Sequence, residues 1–164
     1  MMSAKLLNKK NRTVKTANIE VQCTTVAVLG RIPAAARIRQ WALAALGRRA
    51  NGQDLTVRVV GKHEMARLNR RYRGKAGPTN VLSFQADVPP GVEANLLGDI
   101  VICADVVWRE AQQQGKRIQA HWCHMVVHGV LHLLGYDHEN DRDAKSMERH
   151  ETTILLSLGF ANPY

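Results

Sequence analysis

Residues 121–138 read HWCHMVVHGVLHLLGYDH and combine a long apolar stretch with five histidines. Apolar side chains fall on nearly every side of a helix over His121–Leu134, which is typical of a helix packed inside a domain. The apolar run Met125–Leu134 is interrupted by two histidines and is far shorter than the ~20 residues that a membrane span needs. We therefore predict a buried helix here and no membrane partner.

Outside this helix, β-branched residues at alternating positions indicate strands, and apolar residues at helical spacing indicate further helices. The predicted strands are Ile19–Val26, Leu55–Val60, Asn80–Phe84 and Leu96–Cys103. The other predicted helices are 33–47, His63–Tyr72, Ala104–Gly115 and Asp141–Leu158. Because strands come first and helices dominate the end, we expect an α+β fold with a small mixed β-sheet covered by helices.

The length of 164 residues suits one domain, and 45% hydrophobic residues can form a core without disulfides. Residues 1–17 are mostly polar and basic without clear periodicity, so we predict a disordered basic arm there. A single domain is then expected over residues 18–164.

The cysteines Cys23, Cys103 and Cys123 are odd in number, and each lies in or beside an apolar stretch. This pattern predicts buried thiols in a reducing compartment. The run Asn8–Thr13 is polar or basic, where a signal peptide would need apolar residues. We therefore expect a cytoplasmic location.

Positive charge is concentrated in one part of the sequence. The chain carries a net charge of +9 at pH 7, and residues 58–75 hold seven bases against one acid. The segment 70–75, RRYRGK, interleaves four cations with a tyrosine, and guanidinium groups suit phosphates. A solvated helix face remains the simpler interpretation for any single base. The density of the cluster nevertheless favours a phosphodiester substrate, bound by Arg70, Arg71, Arg73 and Lys75.

The histidine spacing predicts a metal site on the helix and the loop after it. His128 and His132 are four residues apart, so both imidazoles project from the same helix face. Gly135 can end the helix and turn the chain, which lets His138 approach from the loop. Three imidazoles that leave one position open favour a catalytic Zn²⁺, one per chain. Hydrogen-bonded core histidines are the alternative, and they explain this spacing less well.

His124 lies one turn before His128 and is a further candidate ligand. It would lie two turns from His132, too far along the helix axis for both to share an ion easily. We therefore prefer the set of His128, His132 and His138.

The same spacing, H-x-x-x-H-x-x-G-x-x-H, occurs in metzincin proteases. Those enzymes carry a glutamate directly after the first histidine as general base. Here that position is Gly129, which cannot accept a proton, so a peptidase is disfavoured. Hydrolysis then requires either that metal-bound hydroxide is itself the nucleophile or that another carboxylate, such as Asp137 or Asp99, serves as the base.

Three sequence blocks occur in a familiar order: LNRRYRGKAGPTNVLSF at 68–84, LGDIVIC at 97–103 and HGVLHLLGYDH at 128–138. Together they resemble the bacterial YbeY family of metal-dependent endoribonucleases and rRNA maturation factors, from about Leu55 to the last residue. The resemblance implies a compact α+β fold and zinc held by His128, His132 and His138. It also implies cleavage of single-stranded RNA, in which Arg73 would bind the scissile phosphate or stabilise its charge. The catalytic candidates are therefore Arg73 and His128.

The resemblance further implies rRNA processing, with 16S rRNA 3′-end maturation and 70S ribosome quality control. Its partners would be rRNA, the small ribosomal subunit, ribosomal proteins and a ribosome-assembly GTPase. Many relatives carry aspartate where this chain has Asn80, so a mechanism that needs an acid there is unavailable. Two alternatives stay open: a zinc-containing assembly or RNA-binding factor with little turnover, and a metallopeptidase-like hydrolase. The oligomeric state is not predicted.

Overall fold

The structure is a computed structural model that describes residues 16–25 and 31–164. Its strands are β1 Asn18–Cys23, β2 Asp54–Val60, β3 Val81–Gln85 and β4 Leu96–Cys103. Its helices are α1 Ala35–Leu46, α2 Lys62–Arg73, α3 Ala104–Gln113, α4 Ile118–Leu133 and α5 Asp141–Ser157, and a 3₁₀ turn, Gly47–Ala50, follows α1. Residues 1–15 of the predicted arm and Val26 of the predicted first strand lie outside the described residues. Within the described ranges, no helix is long and apolar enough to cross a membrane.

The four strands form one mixed sheet in the order β1-β2-β4-β3. β1, β2 and β4 are parallel, and β3 runs antiparallel to β4 as an edge strand. Side chains of β4 alternate between two faces of the sheet, as expected for a strand. Ile100 and Ile102 belong to the main core, whereas Val101 and Cys103 belong to a smaller core on the other face. This confirms the predicted α+β class with a small mixed sheet.

The helix α4 packs closely on the sheet and is the centre of the main core. Trp122, Val126 and Val130 are all completely buried. Gly129 faces β4 so tightly that an added Cβ would lie 2.7 Å from Ile100 Cγ2. A glycine therefore lets the helix backbone approach the sheet at this point, immediately after His128.

The cysteine prediction holds for two of the three residues. Cys103 and Cys123 are buried, and burial raises both thiol pKa values, that of Cys123 to about 12. Cys23 is exposed, so its predicted burial is wrong. It is the last residue of β1, an edge strand in which only Ile19 is buried, and the apolar sequence around Cys23 therefore did not indicate burial.

Candidate metal centre

Two ring nitrogens converge on the exposed side of α4. His128 and His132 lie one helical turn apart, with ring centroids 4.6 Å apart. Their Nε2 atoms are separated by 3.1 Å. Both side chains are half-buried, in a helix whose other faces are packed in the core.

The end of α4 brings a third histidine to this pair. Gly135 adopts φ +92°, which favours glycine, and its N–H donates to the His132 carbonyl at 3.0 Å. The Tyr136 N–H donates to the Leu131 carbonyl at 3.0 Å, so the chain folds back over the last turn. The His138 ring then lies 5.0 Å from that of His132, centroid to centroid. One ring nitrogen from each of His128, His132 and His138 lies within 4.8 Å of the others.

Edge strand β3 holds α4 at this position. Ser83 Oγ donates to the Gly129 carbonyl at 3.1 Å. Gln85 Nε2 donates to the His132 carbonyl at 3.2 Å, which satisfies a carbonyl near the helix end. The histidine pair is therefore fixed relative to the sheet by hydrogen bonds as well as by core packing.

A buried carboxylate lies behind His128. Glu151 of α5 accepts a hydrogen bond from His128 Nδ1 at 2.5 Å, and its other oxygen accepts one from the Tyr164 hydroxyl. Burial alone would raise the pKa of Glu151, but hydrogen bonds from His124, His128 and Tyr164 outweigh it and lower the pKa to about 2. Glu151 is therefore ionised at neutral pH.

The donor set fits a zinc ion. Burial, together with the neighbouring His128 and His138, lowers the pKa of His132 to about 4, so its imidazole is neutral at pH 7. Metal ligation needs neutral imidazoles, and three of them match known catalytic zinc sites. Two nitrogens 3.1 Å apart would repel if both presented lone pairs, and a shared cation between them and His138 removes that repulsion.

The three histidines open onto a cleft of about 790 Å³. Arg73 and Lys75 line the same cleft, from the end of α2 and the loop after it. Asn69 steadies this loop, because its buried side chain donates to the Gly77 carbonyl at 2.8 Å. Within residues 16–25 and 31–164, neither Arg73 nor Lys75 forms an ion pair. Both charges are therefore free to bind an anion.

Comparison with known proteins identifies the family. The sequence matches the family model described as Endoribonuclease YbeY over residues 9–159. The chain belongs to the YbeY family. Endoribonuclease YbeY from Stenotrophomonas maltophilia (strain R551-3) is 56% identical over 137 residues, which cover 81% of this chain and 85% of that protein. The solution structure of TM1509 from Thermotoga maritima is similar in fold, with a TM-score of 0.58, 24% identity, and coverage of 84% of this chain and 86% of that one. The family resemblance drawn from the motifs is thus confirmed.

The structure separates the predicted site residues of this YbeY-family chain into two groups. Arg73 and Lys75 line the cleft with the three histidines, whereas Arg70 and Arg71 do not. Arg70 is exposed, and the Arg71 guanidinium lies 5.3 Å from the centre of the Tyr72 ring. A phosphate bound beside the histidines would therefore meet only two of the four predicted cations.

The two candidate general bases are also separated. Asp137 lines the cleft, and its Oδ1 accepts a hydrogen bond from the His138 N–H at 2.6 Å. Asp99 instead lines a separate groove of about 600 Å³, with Arg58 and Tyr72. It lies next to Ile100 on β4, and alternation along the strand turns it away from α4. Asp99 is therefore excluded as a base for this site.

Asn80 lines the cleft, but its side chain is hydrogen-bonded to groups outside the histidine cluster. Its Nδ2 donates to both Glu110 oxygens at 3.2 Å, and its Oδ1 accepts from the Val81 N–H at 2.7 Å. Glu110 in turn lies 2.7 Å from Nε2 of buried His121. His121 and Asn80 thus both bind the Glu110 carboxylate. Asn80 therefore has a structural role and cannot act as a catalytic acid.

Sequence reasoning missed Glu151 and its partner Tyr164. A signal was present for Glu151, since it occupies the buried stripe of α5 between Met147 and Leu155. An acid in an apolar stripe needs a buried partner. No comparable pattern marks Tyr164, which lies outside the regular elements.

Proposed function

We propose that this chain is a zinc-dependent endoribonuclease that cleaves single-stranded RNA in the cleft between α2 and α4. The observation that carries the proposal is the convergence of three imidazoles in a cleft also lined by two cations that form no ion pair within the described residues. Membership of the YbeY family supports the nuclease activity. The net charge of +9 supports a polyanionic substrate.

Each functional residue of the cleft has a separate role in this proposal. His128, His132 and His138 would hold Zn²⁺, which supplies Lewis-acid catalysis and lowers the pKa of water. Arg73 binds the non-bridging oxygens of the scissile phosphate and stabilises the charge that develops on them. Lys75 holds the neighbouring backbone phosphate and fixes the direction of the strand.

Asp137 is the carboxylate that accepts the proton from the attacking water. Its Oδ1 is occupied by the His138 N–H, which leaves Oδ2 free within the described part of the chain. The position next to a metal ligand suits a general base, because the base must lie within hydrogen-bond reach of the nucleophile. Gly129, directly after His128, cannot take this role.

We further propose that the substrate is rRNA, that the activity serves 16S rRNA 3′-end maturation and 70S quality control, and that it takes place in the cytoplasm. The small ribosomal subunit, ribosomal proteins and a ribosome-assembly GTPase are the partners this implies. Family membership supports these assignments, as does the basic surface of α2, whose last turn carries three arginines.

Metal content and cleavage of a labelled single-stranded RNA test the proposal together. We expect about one zinc per chain and loss of cleavage in His128→Ala, in Arg73→Ala and after chelation. Arg67→Ala is the matched control, since it removes the same charge from an exposed position of α2 outside the cleft. It should cleave as the wild type does.

Two results would contradict the proposal. Cleavage that survives in both His128→Ala and Arg73→Ala would assign the activity to a contaminant. A zinc-containing wild-type protein that binds RNA without cleaving it would favour the assembly-factor alternative.

A further inference from the structure

Glu151 is a buried carboxylate that takes no part in the reaction proposed above. It faces the core from α5, and only 1% of its surface is exposed. Removing a carboxylate from water is costly unless hydrogen bonds and opposite charges compensate. Glu151 can therefore be buried as a carboxylate only because the surrounding groups donate hydrogen bonds to it.

Those groups come from α4 and from the segment after α5. His128 Nδ1 lies 2.5 Å from Glu151 Oε1, and His124 Nε2 lies 3.5 Å from Oε2. The Tyr164 hydroxyl donates to Oε2 and also lies 3.4 Å from His124 Nε2. Burial and the Glu151 carboxylate raise the pKa of Tyr164, so the hydroxyl keeps its proton and remains a donor.

This arrangement decides which nitrogen of His128 carries the proton. An ionised carboxylate can only accept hydrogen bonds, so Nδ1 of His128 must be protonated. In a neutral imidazole, the lone pair is then on Nε2. Nε2 is the atom that faces His132 Nε2 at 3.1 Å, inside the three-histidine cluster.

The other two ligands lack this support. Within residues 16–25 and 31–164, no carboxylate lies within ion-pair distance of the ring of His132 or His138. His138 is exposed and lies on a loop, whereas His128 lies on α4 and its ring is hydrogen-bonded to Glu151. His128 is therefore the ligand whose orientation the fold controls most closely.

We propose that Glu151 is a positioning residue of the metal centre. It sets the tautomer and ring orientation of His128 and strengthens this imidazole as a ligand, and Tyr164 completes the arrangement as a hydrogen-bond donor. The inference rests on the metal site of the proposed function and extends that site to α5 and to the segment that carries Tyr164. A hydrogen bond from a ligating histidine to a carboxylate is a known way of tuning metal affinity.

Zinc affinity, measured by competition with a chromophoric chelator, tests this role without an RNA substrate. Glu151→Gln should bind zinc about 10–100-fold more weakly. Its Co²⁺ form should show a shifted visible spectrum, because the ring of His128 is no longer held. Tyr164→Phe should weaken zinc binding by a smaller factor. Glu93→Gln is the matched control, since it makes the same change at an exposed glutamate in the loop between β3 and β4, away from the histidines, and it should match the wild type in both measurements.

The inference is overturned if folded Glu151→Gln keeps wild-type zinc affinity and a wild-type Co²⁺ spectrum, even if its melting temperature falls. That result would assign Glu151 a role in folding alone. If Glu151→Gln does not fold, Tyr164→Phe decides, and unchanged zinc affinity there overturns the inference equally. If the wild type binds zinc but cleaves no RNA, the proposed function fails, while the ranking of zinc affinities still decides the role of Glu151.

Discussion

Replacing Gly129 with alanine should destabilise the protein and disturb the metal centre, although alanine is the better helix former. The added Cβ would lie 2.7 Å from Ile100 Cγ2 and 3.2 Å from Ile100 Cδ1. Carbon atoms in contact normally lie about 3.5–4.0 Å apart, so α4 or β4 must move by roughly 0.8 Å. Overpacking of this kind typically costs about 1–3 kcal/mol.

Helix propensity acts in the opposite direction. Alanine is favoured over glycine in a helix by about 1 kcal/mol. The net loss in the free energy of unfolding should therefore be about 0–2 kcal/mol, with a central value near 1 kcal/mol. Because Gly129 follows His128 directly, the same shift should also weaken zinc binding.

Urea unfolding of a double-mutant cycle with Ile100→Ala isolates the contact. Ile100→Ala alone should cost about 2–5 kcal/mol, because it empties a buried position. In the double variant, the added methyl group enters the space that isoleucine leaves, so the combined loss should be smaller than the sum of the two single losses. Strict additivity, or a Gly129→Ala variant about 1 kcal/mol more stable than the wild type, would refute the close-packing argument.

Three further predictions concern other parts of the molecule. Burial alone would raise the pKa of Glu110, but the hydrogen bond with His121 outweighs burial, and the pKa is lowered from its usual value of 4.5. The ionised carboxylate therefore stabilises the fold above pH 4.5, and this stabilisation is lost as the pH falls through the lowered pKa. Urea unfolding of Glu110→Gln should therefore show a flatter decline between neutral and acidic pH than the wild type, and equal slopes would contradict this. Gly98 has φ +142°, and an added Cβ would lie 2.1 Å from the Phe84 carbonyl oxygen. Gly98→Ala should therefore lower the free energy of unfolding, measured in urea, by more than about 3 kcal/mol or prevent folding. A loss below about 1 kcal/mol would show that β3 can move away. Arg73→Ala should reduce the slope of log affinity for single-stranded RNA against log salt by about 0.7, measured by fluorescence anisotropy, and an unchanged slope would show that Arg73 touches no phosphate.

The regular elements were predictable because each has a local signal. Leu96–Cys103 was predicted with the observed bounds of β4, since its β-branched run is followed at once by a helical pattern. The spacing of His128 and His132 likewise depends only on helix geometry. Gly135 marked the helix end, and it is observed at positive φ. These features are set by residues close together in sequence.

Features that depend on long-range packing were not predictable from the sequence. The two faces of β4 separate Asp99 from the cleft, and this follows from the helix that packs on Ile100. Likewise, the apolar sequence around Cys23 gave no sign that the strand would lie at the edge of the sheet. Contacts such as Tyr164 with Glu151 join separate segments, and no sequence spacing specifies them.

The three proposed metal ligands are closely spaced along the chain, so an ion bound to them would contribute little to the stability of the sheet. The histidines of the cluster all lie between residues 128 and 138, and none of them belongs to the main apolar core. An ion held there closes only a short loop, so it removes little conformational entropy from the unfolded chain and joins no distant strands. Chelation should therefore withdraw only the binding free energy gained by mass action and leave the strand order intact. On this basis, we expect the scaffold to fold without the proposed zinc ion, in contrast to zinc fingers, whose folding requires the metal.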